Sequence, residues 1–166
     1  MKLFSKKSIV RSCNVYVESN RGRFIVAPCF DHGGLFMEMP GKTRVVEGGS
    51  EEMLGTSIQK ALTESVFQSK FNYRDYKKSD WPAFKVSGEK TIKGFEEKFL
   101  ALRVIEGESV YTSSAVDIFR GDVSSKVKKG YGITLSMLIS RHASPGELGK
   151  EILYLAKEVD LYSRLK

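Results

Sequence analysis

The chain has 166 residues, of which 41% are hydrophobic and 28% charged, with only four prolines; this composition supports a packed core and excludes a disordered or low-complexity polypeptide. A net charge of +7 attracts acidic surfaces at long range, whether nucleic acid, membrane or protein, without choosing among them. Two cysteines are too few for a secreted disulfide framework, no stretch approaches the ~20 apolar residues of a membrane span, and Met1–Arg11 lacks the apolar core of a signal peptide, so the expectation is a single cytoplasmic α/β domain over residues 1–166.

Ser12–Glu18 and Arg23–Ala27 are rich in β-branched and aromatic residues, and Ser19-Asn20-Arg21-Gly22 supplies the turn of a hairpin. Pro28 and Asp31-His32-Gly33-Gly34 interrupt the pattern before two short strands, Leu35–Met39 and Lys42–Glu47, joined by Pro40-Gly41. Ser50 is a good N-cap, Glu51 and Glu52 suit the first turn, and Met53, Leu54, Ile58, Ala61, Leu62 and Ser65 recur at helical spacing, which predicts a long helix over about 50–67. Phe71–Trp81 follows neither period and reads as a loop. Thr91–Lys98 reads as a short helix, Leu100–Ile105 as a buried strand, and Val110–Ser114, Val116–Phe119 and Ile133–Ile139 as further strands. Ser144-Pro145-Gly146-Glu147 has the serine, the first-turn proline and the glutamate of a capping box, opening a second long helix with Leu148, Ile152, Leu155, Ala156 and Val159 as its stripe. The fold expected is α+β, a mixed or mainly antiparallel sheet with two long helices and a short one.

The two long helices align without a gap at an offset of about 94 residues: Ser50 with Ser144, Leu54-Gly55 with Leu148-Gly149, Ile58 with Ile152. Pseudo-duplicated halves of strands then helix are one reading, and chance is the other. A glycine in a helix costs ~1 kcal/mol against alanine, so two at matching places point to close backbone packing.

Catalytic and metal chemistry finds little support in the residues. His32 and His142 are the only histidines, no Cys-x-x-Cys or His-Glu-x-x-His spacing assembles zinc ligands, and no phosphate-cradling glycine motif or Gly-x-Ser-x-Gly elbow occurs. Neither catalytic residues, metal ligands nor a cofactor are assigned, and the chain is expected not to be an enzyme. Cys13 and Cys29 lie in consecutive strands where a cross-strand disulfide is geometrically open, with buried reduced thiols the preferred reading. Partner contact is expected instead from the aromatic and basic residues Tyr73, Arg74, Tyr76, Lys77 and Trp81, and from Lys128, Lys129 and Tyr131 in the run K-V-K-K-G-Y-G (Lys126–Gly132).

The run S-x-x-x-L-G-x-x-I-x-x-A-L-x-x-S (Ser50–Ser65), then G-x-K-x-x-K-x-F (Gly88–Phe95) and E-L-G-K-E-I (Glu147–Ile152) resemble bacterial contact-dependent growth inhibition (CDI) immunity proteins, the CdiI-like family, over about residues 10–160. The resemblance implies a cytoplasmic protein that binds, one to one, the C-terminal toxin domain of a contact-delivered effector, often a nuclease, so that sibling cells survive. It implies no particular contact residues. For a chain this basic, charge-guided binding requires an acidic face on the toxin. The alternative is a basic RNA- or DNA-binding module, which would show a steep salt dependence.

Overall fold

The computed structural model describes residues 10–18, 22–33, 35–68, 77, 80–106, 113–117, 136–140 and 142–164. The first hairpin forms as its composition predicts: β1 (Arg11–Glu18) and β2 (Phe24–His32) are antiparallel, with Val15 opposite Val26 and Tyr16 opposite Ile25. Pro28 does not end β2, contrary to the sequence expectation. The Glu18 N–H bonds the Arg23 carbonyl at 3.0 Å, and since hydrogen-bonded pairs alternate along an antiparallel ladder, Pro28 falls between them with its nitrogen turned away from β1. On that side its carbonyl accepts from the Met39 N–H at 2.8 Å, and the Met39 carbonyl, to which residue 28 would donate in return, accepts from the Lys42 N–H at 3.4 Å instead.

β3 (Leu35–Glu38) and β4 (Arg44–Val46) both pair with the outer side of β2. On the other side β1 pairs antiparallel with β6 (Phe99–Glu106), which leads through β7 (Ser113–Asp117) to β8 (Ser136–Ser140), giving the order β3-β2-β1-β6-β7-β8 among the described residues. Two strands were expected between Val110 and Phe119, parted at Ala115; in the described residues 113–117 one strand runs through that point, with Ala115 opposite Ile105.

The first helix, α1 (Glu51–Glu64), starts where its cap predicts, with the Met53 N–H donating to the Ser50 hydroxyl at 3.3 Å. It ends earlier than the periodicity suggests, because Ser65 is drawn into the sheet. The Ser12 N–H donates to the Ser65 hydroxyl at 3.0 Å, and that hydroxyl donates to the Cys29 carbonyl at 2.6 Å. The side chain thus stands in for the ladder bond that Ser12 and Cys29 would otherwise make. Beyond it the chain turns extended as β5 (Val66–Phe67), the single parallel pairing among the described residues, beside Phe30 and Asp31.

Both faces of the central strands are buried, which explains why β1 and β2 read as near-continuous apolar runs rather than as clean alternation. Cys13, Val15, Phe24, Val26, Leu102 and Val104 pack on one face against Leu54, Ile58, Ala61 and Leu62 of α1 and against Leu148, Ile152, Leu155 and Ala156 of the last helix, α4 (Pro145–Arg164). Tyr16, Ile25 and Phe99 pack on the other against Ala83 and Phe95. Those two residues belong to α2 (Pro82–Ser87) and α3 (Ile92–Lys98). α3 is the expected short helix, capped by Thr91, whose hydroxyl accepts from the Gly94 N–H at 3.0 Å. α2 was not expected; its only start signal is Pro82 at the first turn, and Gly88 closes it in the left-handed region at φ 77°.

The capping box of α4 is made in full: the Ser144 N–H donates to Glu147 Oε2 at 2.8 Å and the Glu147 N–H to the Ser144 hydroxyl at 3.3 Å. The alignment of the two long helices has a physical basis. A Cβ built on Gly55 would stand 1.7 Å from the Pro145 carbonyl oxygen, and one on Gly149 would stand 1.9 Å from that of Glu51. Each glycine therefore lies against the first residue of the opposite helix, and the two first turns touch backbone to backbone. The likeness stops at the helices, since a set of strands centred on β2 precedes α1 whereas the meander β6-β7-β8 precedes α4.

Candidate functional site

A buried carboxylate organises the α2/α3 face of the sheet. Glu38 accepts from Asn14 Nδ2 at 2.9 Å, from the Tyr16 hydroxyl, and from the Ala83 N–H at 2.9 Å. Asn14 Oδ1 in turn accepts from Arg103 Nε at 3.1 Å, and the Tyr16 oxygen accepts from Trp81 Nε1 at 3.2 Å. A carboxylate is an acceptor-only group able to take several donors, so one side chain binds β1 and the start of α2 directly, and Trp81, the residue before α2, is tied in through Tyr16. Burial first, then the charge of Glu38 and the bond to it, push the Tyr16 hydroxyl well above its ordinary pKa, while the Trp81 bond acts in the opposite direction. The signal in the sequence was a lone acid inside the apolar run Leu35–Met39, which periodicity alone does not interpret.

Trp81, one of the residues expected to contact a partner, is partly buried and stands edge-on to Tyr16 and Phe95, with ring centroids 5.8 and 4.9 Å away. Its indole N–H is engaged by Tyr16, so it anchors the end of the segment Phe71–Trp81 to the core. Lys77 is exposed, and its carbonyl accepts from the Asp80 N–H at 2.8 Å. Tyr73, Arg74, Tyr76, Lys128, Lys129 and Tyr131 lie outside the described residues. A second polar group holds the hairpin end on the same face: Arg23 donates to both oxygens of buried Glu18 at 3.2 and 3.3 Å and to the Ser87 carbonyl at 3.0 Å, and lies over the Phe99 ring.

The cysteines are free and buried. Cys13 pairs with Pro28 and Cys29 with Ser12, so the two thiols occupy opposite faces of the sheet and the disulfide that adjacent strands left open is not formed. Burial pushes the Cys29 thiol up to about 12, with the charge of Glu38 adding to it, and raises Cys13 well above its ordinary value. Asp31 and His32 are neighbours in β2 and point to opposite faces. His32 Nδ1 lies 2.8 Å from the Gln68 carbonyl; a carbonyl only accepts, so this nitrogen carries the proton. His142 follows β8, separated from β2 in the sheet order by three strands. Among the described residues no group of three or more His, Cys, Asp or Glu is placed to hold a metal, and no helix is long and apolar enough to cross a membrane.

Three of the exposed apolar side chains among the described residues stand beside the end of β2. Leu35 is 56% exposed, Val66 45% and Phe67 47%, and the register places them opposite His32, Phe30 and Asp31. Val66 and Phe67 lie a few residues ahead of Phe71–Trp81 in the chain, and as successive residues of a strand they face opposite sides of the sheet.

No protein-family model matches the chain, and no curated protein resembles it in sequence. Among the solved structures that share its architecture, two superpose over nearly its whole length. A protein of unknown function from Neisseria meningitidis superposes with a TM-score of 0.64 at 13% identity, over 90% of this chain and 95% of that one. A chain of the CdiA-CT/CdiI toxin and immunity complex from Yersinia pseudotuberculosis superposes with a TM-score of 0.60 at 14% identity, over 91% of this chain and 98% of its own. At such identities the likeness is one of fold, and it extends over nearly the whole length of all three chains.

Proposed function

We propose that this chain is a cytoplasmic immunity protein that binds the C-terminal toxin domain of a contact-delivered effector one to one and blocks it, without chemistry of its own. The observation that carries the reading is the near-complete overlap of its fold with a chain of a toxin and immunity complex. The residues that prompted the family resemblance also acquire a structural meaning: Leu54-Gly55 and Leu148-Gly149 are the places where α1 and α4 touch. They specify a frame, and the frame leaves the partner to be chosen by its surface. The contact residues proposed are Tyr73, Arg74, Tyr76 and Lys77 with the exposed rim of Trp81, joined by Lys128, Lys129 and Tyr131.

The test is capture of the tagged protein from its native strain, followed by mass spectrometry. One effector fragment recovered at near-equal stoichiometry, whose toxicity the purified chain abolishes, is the expected result. The net charge of +7 favours one second reading, a nucleic-acid-binding module. Recovery of nuclease-sensitive RNA or DNA without such a fragment would put that reading first.

A further inference from the structure

α2 does not carry the means of its own stability. It is six residues long, whereas an isolated helix needs roughly 12–15 residues to hold in water. Of its apolar side chains only Pro82 and Ala83 are buried, while α1 buries Leu54, Ile58, Ala61 and Leu62. Trp81, the residue before it, makes no side-chain cap.

The sheet supplies both ends instead. A helix leaves unpaired N–H groups at its start and unpaired carbonyls at its end, and its dipole favours negative charge at the first and positive charge at the second. At the start of α2, Glu38 Oε2 on β3 accepts from the Ala83 N–H at 2.9 Å. At its end, Arg23 Nη1, one residue ahead of β2, donates to the Ser87 carbonyl at 3.0 Å. Each charge has the sign its end calls for, and each is itself held, Glu38 by Asn14 and Tyr16 and Arg23 by Glu18. Gly88, in the left-handed region, parts α2 from α3, which is anchored separately by the buried ring of Phe95.

We infer that α2 is a latched strap: it opens from the sheet as a unit while the α1/α4 layer stays folded, Glu38 and Arg23 hold it closed, and its closure presents Trp81 to a partner. Segments with few buried apolar contacts open at lower free energy than the core. Opening breaks the Ala83 and Ser87 bonds and frees the Trp81 indole N–H from the Tyr16 hydroxyl, now 3.2 Å away. The presentation of Trp81 rests on the immunity reading; the opening is a property of the protein alone.

The test is amide hydrogen exchange resolved by residue. In the wild type the α2 amides, among them Lys85, whose N–H donates to the Trp81 carbonyl at 3.0 Å, exchange at least tenfold faster than those of Ile58 and Leu62 and with little dependence on urea. Ser65→Ala, whose lost bonds lie in the sheet, raises the α1 rates about fivefold or more and leaves the α2 rates unchanged, because an open strap still keeps Ser65 in place. Glu38→Gln and Arg23→Gln each raise the α2 rates roughly tenfold or more, with melting temperatures establishing that the variants fold. A wild type in which α2 shares the rate and urea slope of α1, or a Ser65→Ala variant that accelerates both alike, overturns the inference without recourse to either latch variant. No acceleration of α2 in Glu38→Gln and Arg23→Gln overturns the latch. The effector fragment recovered by capture, added at saturation, should slow α2 exchange about tenfold or more; bound fragment with unchanged α2 rates overturns the presentation of Trp81. Failure of the fragment to bind overturns the immunity reading itself and leaves the opening to stand on the first measurements.

Discussion

Replacing Gly149 by alanine tests the helix contact most directly, because two principles give opposite signs there. Alanine favours a helix over glycine by ~1 kcal/mol, so at an exposed interior position the change stabilises. At Gly149 the new Cβ would stand 1.9 Å from the Glu51 carbonyl oxygen and 2.6 Å from its carbon. Both are rigid backbone atoms, so α4 must move off α1, and Leu148 and Ile152 move with it out of the apolar layer. Overpacking of this kind costs roughly 1–3 kcal/mol, occasionally more, which exceeds the propensity gain at all but the lowest values. For a domain of this size 1 kcal/mol shifts the melting midpoint by about 2–4 °C, so a fall of several degrees is expected in thermal unfolding followed by circular dichroism, with a matching fall in the urea midpoint. Gly55→Ala, against the Pro145 carbonyl, should behave alike. The double variant should lose less than the sum, since one separation of the helices relieves both clashes. A midpoint unchanged or raised in Gly149→Ala would refute the backbone contact, because propensity alone would then account for the result.

Glu38→Gln turns one acceptor into a donor facing the donors of Asn14, Tyr16 and Ala83, with an expected cost of about 1–3 kcal/mol and an altered near-ultraviolet signal from Trp81; an unchanged signal with full stability would sink the role given to the network. Ser65→Ala leaves the Ser12 N–H and the Cys29 carbonyl unbridged in the interior, and a loss of about 1–3 kcal/mol in urea unfolding is expected. Neither thiol should react with a disulfide reagent at pH 8 in the native protein and both should react in denaturant, given their burial and raised values; a reactive native thiol contradicts the placement of that cysteine. Arg44 hydrogen-bonds to Glu64 and holds its carboxyl below its ordinary value. The folded state then binds that proton more weakly than the unfolded one, so the stabilisation is full above the ordinary carboxylate range and is lost as pH falls through the folded value. Glu64→Gln should flatten the acid limb of stability against pH, and an identical limb in both proteins would count against the pair.

Helices announce themselves through caps that act over three or four residues, and the starts of α1 at Ser50 and α4 at Ser144 were legible for that reason. α2 is six residues long and has no side-chain cap, too little for a period to register. Pro28 misled because a missing N–H matters only on the side where a ladder bond is due, and that side depends on a register set by the partner strand. The candidate site was legible only as composition: aromatic and basic residues in Phe71–Trp81 suggested contact, but the part played by Trp81 depends on Tyr16, 65 residues away.

What the residues alone determined was the class of fold, the strands and long helices, and the matching glycines that foretold close packing, since each depends on neighbours within a few positions. Only the tertiary structure decided that Ser65 enters the sheet, that Glu38 gathers three donors, and that Cys13 and Cys29 face opposite ways. Each of these is a meeting of groups far apart in the chain. Burial and pairing belong to that meeting and not to any local pattern.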